Sequence, residues 1–93
     1  MKNNVVYILK NADNGYYVGS TNNIDRRLFE HNSNTVIATK GRGPWLLVFI
    51  QEVETTQQAR KIEYRLKRLK RRDYIDKIVQ EQNISSKKVL LGA

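Results

Sequence analysis

The chain has 93 residues, with 17 lysines and arginines against 9 aspartates and glutamates, for a formal net charge of +8. One domain is the natural count at this length, and 40% hydrophobic residues suffice for a core, which excludes wholesale disorder. The absence of cysteine excludes disulfides, thiolate-bound zinc and thiol nucleophiles, and a single histidine excludes multi-histidine metal centres.

Residues 4–10 are β-branched and aromatic in character and read as a strand. Residues 11–15 form a turn cluster ending in Asn14-Gly15, a hairpin signal, so residues 16–20 return as a second, antiparallel strand. Thr21, Asn22 and Asn23 offer caps for a helix over 24–31. Residues 32–44, which include the only proline, read as a long loop of functional length. The third strand, 45–52, is apolar enough to lie centrally in a sheet or to be covered on both faces. Thr55, with Thr56 as the alternative cap, opens a long helix whose core stripe is Ala59, Ile62, Leu66 and Leu69. Asp73 is positioned to cap a third helix, with Tyr74, Ile75, Ile78 and Val79 on its apolar side. Residues 84–93 have no clear period. The domain is thus expected over 1–82, with a loosely ordered tail over 83–93 in which Val89-Leu90-Leu91 forms a small apolar patch. The order β-β-α-β-α-α defines an α/β protein of the α+β kind: a small three-stranded, mainly antiparallel sheet flanked by helices.

The longest apolar runs, 5–9 and 45–50, fall far short of the roughly 20 residues a membrane-spanning helix needs. The start, Met-Lys-Asn-Asn, has no apolar signal region, so an unprocessed cytoplasmic protein is expected. Basic charge is concentrated: residues 1–57 balance to +1 and residues 58–93 to +7. Between 60 and 72 lie eight basic side chains, with Glu63 the sole acid among them. Such crowding is the electrostatic footprint of a nucleic-acid surface, favoured here over a merely solvated helix face.

Val5-Val6-Tyr7-Ile8-Leu9, followed about ten residues later by Tyr17-Val18-Gly19, resembles the paired motif of the GIY-YIG nuclease domain. The likeness continues in order through Arg27 and His31, Gly43-Pro44-Trp45 and Glu63, over nearly the whole chain. It is nearest the small stand-alone bacterial branch, akin to the N-terminal nuclease domain of the excision-repair protein UvrC. Val5 stands where the family has the glycine of the first motif, a change that strand packing can absorb. Gly19 is kept, just before the loop where backbone would approach a phosphate.

The resemblance implies an endonuclease that hydrolyses DNA phosphodiesters with Mg²⁺ or Mn²⁺, leaving a 5′-phosphate and a 3′-hydroxyl. It also implies a place in DNA repair or recombination. Selectivity for structure rather than sequence is expected, since no reading helix is evident. DNA is the expected partner, RNA the second candidate, and a targeting protein a possible third; no membrane is implied. Tyr7 and Tyr17 lie on neighbouring strands and can converge if they share a face, whereas Tyr16 alternates to the other. A phenol, with an ordinary pKa near 10, is a poor base without help. Arg27 and His31, spaced i,i+4, share one side of the first helix. Arg27 suits a phosphate and its transition-state charge, and His31 suits proton transfer. Whether Tyr7 or His31 is the base stays open. Glu63, at the edge of the apolar stripe, suits a single carboxylate ligand for Mg²⁺; its plain alternative is an ion pair with Lys67. Gly19, Lys40, Arg42, Arg60, Lys67, Lys70 and Arg71 are the expected nucleic-acid-contacting positions, touching phosphates rather than bases. The rival function is a non-catalytic nucleic-acid-binding module on the same fold.

Overall fold

A computed structural model describes residues 4–69 and 71–82, so Lys70 and the tail with its Val89-Leu90-Leu91 patch lie outside the described residues. The elements are β1 (Val5–Lys10), β2 (Tyr16–Thr21), α1 (Ile24–Asn32), β3 (Leu46–Glu52), α2 (Thr56–Leu69) and α3 (Arg72–Glu81). The first turn is held by the Asn11 side chain, whose Oδ1 accepts from the Gly15 and Asp13 amides at 2.7 and 3.2 Å. Asn14 takes the left-handed conformation there, at φ 63°. Asn23 caps α1, accepting from the Arg26 amide, and Thr55 Oγ1 accepts from the Gln58 amide to cap α2.

The sheet is antiparallel throughout, in the order β2-β1-β3. This corrects the sequence expectation for the third strand. β1 is the central strand, and β3 is an edge whose Leu46, Leu47 and Ile50 remain exposed. After α1 the chain returns to the free side of β1, so β1, buried from Val5 to Leu9, carries the covering on both faces.

Strand alternation divides the core in two. Val6 and Ile8 point to one face, where they meet Val18, Phe49, Ala59, Ile62, Leu66, Ile75 and Ile78 under α2 and α3. Val5, Tyr7 and Leu9 point to the other, with Ile24 of α1 and Trp45. Val5, the residue in place of glycine, is therefore a core side chain. The third helix starts one residue before the expected cap. Arg71 occupies the cap position, and Asp73 sits in the first turn, paired with Arg71 at 2.6 Å. Among the described residues no helix is long and apolar enough to cross a membrane.

Leu66 stands in the middle of the α2 side of the core and Leu46 on the open edge. Leu66→Ala should cost about 2–5 kcal/mol of unfolding free energy. Leu46→Ala should cost no more than about 0.5 kcal/mol. Urea denaturation of the two variants measures both.

Candidate active site

Pairing of β1 with β2 sets Tyr7 opposite Gly19 and Leu9 opposite Tyr17, so both tyrosines lie on the α1 side of the sheet. Their ring centroids are 6.4 Å apart. Tyr16 points the other way and donates to Asp76 Oδ1 of α3 at 2.7 Å. Gly19 makes the tyrosine arrangement possible. A Cβ built there would collide with the Tyr7 hydroxyl and ring carbons, so the missing side chain is the space the phenol fills. Gly19 thus has a packing role in addition to the phosphate approach expected of it.

His31, in the last turn of α1, is fully buried beside Tyr7. Tyr7 Oη and His31 Nε2 are 2.7 Å apart, and His31 Nδ1 is 2.8 Å from Thr39 Oγ1. Proton placement follows from the neighbours. The Arg27 cation acts on the Tyr7 hydroxyl and favours its oxygen facing that charge, so the phenolic hydrogen has His31 Nε2 as its acceptor. Nδ1–H then donates to Thr39, whose own hydroxyl donates toward the Val36 carbonyl at 3.4 Å. Burial, and then the Arg27 cation, hold the His31 pKa below its usual 6.5 against the opposing pull of Glu30. The imidazole is thus neutral at pH 7 and available as an acceptor. Burial pushes Tyr7 up to about 12, with Arg27 opposing and Tyr17 and Glu63 adding to the rise.

The Tyr17 ring packs on His31 at 4.9 Å and on Trp45 at 6.4 Å. Trp45 in turn closes the loop between α1 and β3. Its indole N–H donates to the Thr39 carbonyl at 3.3 Å, and Asn32 clamps its backbone N–H and C=O at 2.7 and 3.2 Å.

Glu63 approaches from the other face of the sheet, around the β2 edge. Its Oε1 accepts from Ser20 Oγ at 2.5 Å, and its Oε2 accepts from Lys67 Nζ at 2.8 Å. That ammonium also lies 4.9 Å from the Tyr17 ring centroid, which joins Glu63 to the tyrosine side. Tyr7, Tyr17, Arg27, His31 and Glu63 are therefore brought together. Tyr7 and His31 form the buried floor, and Arg27, Tyr17 and Glu63 the accessible rim. Of the basic positions, Arg60 shares a pocket with Arg27, and Lys67 and Arg71 line a groove beside Tyr17. Arg71 also pairs with Asp73 and stacks on Tyr74. Arg42 stacks on Trp45 at 5.4 Å, and Lys40 is exposed in the same loop.

Thr39 and Ser20 are the two contributors that sequence reasoning missed. Thr39 lies in a loop without periodicity, and only its distance from His31 in space reveals it. Ser20 had a readable signal, since it lies one residue before the end of the strand that carries Tyr17. Glu63 is also the one residue in this cluster able to hold a divalent metal. Among the described residues no three His, Asp or Glu side chains gather as a ready cage. One part-exposed carboxylate suits Mg²⁺, which keeps waters and borrows substrate phosphate oxygens, so the donor set fits.

Comparisons with known proteins identify the family and the fold. The model of the GIY-YIG catalytic domain matches residues 3–77. The chain belongs to the GIY-YIG family, which supports a nuclease-type function. Its relatives include the UPF0213 protein CPE1444 of Clostridium perfringens, 39% identical over 85 residues, spanning 86% of this chain and 91% of that one. The UPF0213 protein YhbQ of Salmonella arizonae is 35% identical over 78 residues, spanning 83% and 77%. The solution NMR structure of the UPF0213 protein BH0048 from Bacillus halodurans superposes with a TM-score of 0.55 at 34% identity, covering 88% of each chain.

Two outcomes follow from the floor of the site. Gly19→Ala should destabilise the protein by about 1–3 kcal/mol through overpacking against Tyr7. A double-mutant cycle with Tyr7→Leu should show that the two effects do not add. The second outcome concerns pH. The folded His31 pKa lies below the unfolded one, so the unfolded state binds more protons as pH drops through 6.5. Stability present above that pH should decline as pH falls toward the folded pKa, and His31→Gln should flatten the decline. Urea titrations between pH 7.5 and 5.5 measure the difference.

Proposed function

We propose that this protein is a divalent-metal-dependent endonuclease that hydrolyses DNA phosphodiester bonds, selecting structure rather than sequence, in repair or recombination. The observation that carries the reading is the buried Tyr7–His31 hydrogen bond, with the Arg27 cation acting on both partners. Paired strand tyrosines alone would be ordinary packing. A neutral imidazole held with its free lone pair on a phenol, beneath a guanidinium, is an arrangement for moving a proton near an anion.

On this reading Arg27 and Tyr17 bind the scissile phosphate, and Glu63, now paired with Lys67, is the residue that would hold Mg²⁺. The metal supplies positive charge to the phosphoryl oxygens. Arg27 bonds Glu30 at 3.1 Å while its charge acts on the Tyr7 hydroxyl, and on this reading it screens that hydroxyl from water. A phosphate that draws the guanidinium outward uncovers the phenol to water. Water then passes a proton to Tyr7 as Tyr7 passes its own to His31 Nε2. The resulting hydroxide attacks phosphorus, the bond to the 3′ oxygen breaks, and that oxygen takes a proton from solvent. Tyr7 is thereby the group that meets water and His31 the group that stores the proton, which joins the two candidate bases into one relay. The non-catalytic alternative shares the basic surface and lacks only this chemistry.

Labelled single-stranded, duplex, flap and branched DNAs, with Mg²⁺ or Mn²⁺ and a chelator control, test the proposal. Metal-dependent cutting is expected, lost in Glu63→Gln and lowered about 10²–10⁴-fold in Tyr7→Phe. The acid limb of its pH–rate profile should fall below pH 6.5, where His31 becomes protonated. No cutting of any substrate, with salt-sensitive binding retained, would favour the binding module instead.

A further inference from the structure

A cavity of about 240 Å³ opens between the start of α1, the end of β2 and the start of α2. Arg26, Arg27 and Arg60 line it, with Asn22 and Thr56, and no carboxylate is among its lining residues. Two acids touch the lining: Glu30 holds Arg27 at 3.1 Å and Arg26 at a loose 3.9 Å, and Glu63, already paired with Lys67, accepts from Ser20. Three guanidiniums thus share one carboxylate that is not otherwise neutralised. The first turn of α2 carries no acidic residue, which leaves the positive end of that helix unneutralised as well. The cavity is therefore electropositive and polar, and rich in forked donors suited to phosphate oxygens.

Its location relates it to the catalytic cluster. Arg27 belongs to both, and Ser20 lines the cavity while donating to Glu63. On the far side of Glu63, Lys67, Arg71 and Arg72 line a second basic groove. Arg60, Glu63 and Lys67 fall on one flank of α2, three and four residues apart, so they are separated by about 4.5 and 6 Å along the helix axis. A nucleic-acid strand laid along this flank would meet cation, carboxylate and cation in turn.

We propose that the α1/α2 cavity is a second phosphate subsite, which holds a backbone phosphate of the nucleic-acid strand next to the one seated at Arg27 and Glu63. This rests on the nuclease reading only for which phosphate is cleaved; the anion site itself does not depend on turnover. It commits the strand to run along α2, with Arg60 and Arg26 gripping one side of the reacting phosphate and Lys67 the other.

Fluorescence anisotropy of a labelled single-stranded DNA octamer, measured in chelator across a salt series, tests the subsite without any cleavage. Arg60→Gln and Arg26→Gln should each lower the salt slope by about 0.7, the loss of one contact to a single strand. Lys61→Gln removes the same charge from the opposite flank of α2, where Lys61 lines a groove with Glu52 and Glu54, and should leave the slope nearly unchanged. Inorganic phosphate should compete for wild-type protein more effectively than for Arg60→Gln. Equal slopes for Arg60→Gln and Lys61→Gln would overturn the subsite and reduce it to general charge. The full Arg60 effect in a protein that cuts nothing would uphold the anion site while the hydrolytic reading failed.

Discussion

A phenol and an imidazole can share a protein interior when each satisfies the other, and Tyr7 and His31 do so across 2.7 Å. Leaving either polar atom unpaired in that setting would cost about 1–3 kcal/mol. Much of the surrounding chain is arranged to preserve the contact. Gly19 lacks the Cβ that would displace the phenol. The loop after α1 folds back far enough for Thr39 to accept from the second ring nitrogen, which leaves the first as an acceptor. Trp45 secures that loop through the Thr39 carbonyl, and Asn32 secures Trp45. These contacts span α1, β1, β2 and the residue that enters β3, so the hydrogen bond is both a core feature and the floor of the candidate site.

The second organising feature is that the cluster wraps around an edge strand. α1 covers one face of the sheet and α2 the other, which would separate His31 from Glu63 over a central strand. β2 is an edge, and short residues at Gly19 and Ser20 keep it narrow at that point. Glu63 reaches its rim through Ser20, while Lys67 reaches past it to the Tyr17 ring. A carboxylate positioned by one packed face and the tyrosine–histidine pair positioned by the other are thereby held independently. Neither needs to pair with the opposite charge on the other face: Glu63 has Lys67, and Arg27 has Glu30.

The elements themselves were legible because local chemistry determines them: the Asn11 turn, the Asn23 cap and the 3-4-3 spacing of Ala59, Ile62, Leu66 and Leu69 all express short-range preferences. Strand order was not legible. The runs in β1 and β3 are similarly apolar, and only the path of the chain after α1 decides which is flanked on both sides. The start of α3 was displaced for a related reason, since Asp73 found its partner in the Arg71 side chain rather than in the helix amides. Motif spacing located the five clustered side chains. It carried no trace of Thr39, whose role depends on the chain returning, eight positions on, to one atom of His31.

The positions of burial and charge also constrain how such a site would be switched on. Without substrate, Arg27 depresses the basicity of His31 and lowers the otherwise high pKa of Tyr7, while burial opposes ionisation of both. A phosphate bound at Arg27 would offset that cation, so the imidazole would become a better proton acceptor when there is a bond to cleave. The same phosphate would compete with Glu30 for the guanidinium whose charge acts on the phenol. Basicity and access would then rise together on substrate binding, and both would remain low in the free protein. Neither response requires a large movement, because one side chain on the rim sets both the field at the buried pair and its shielding from water.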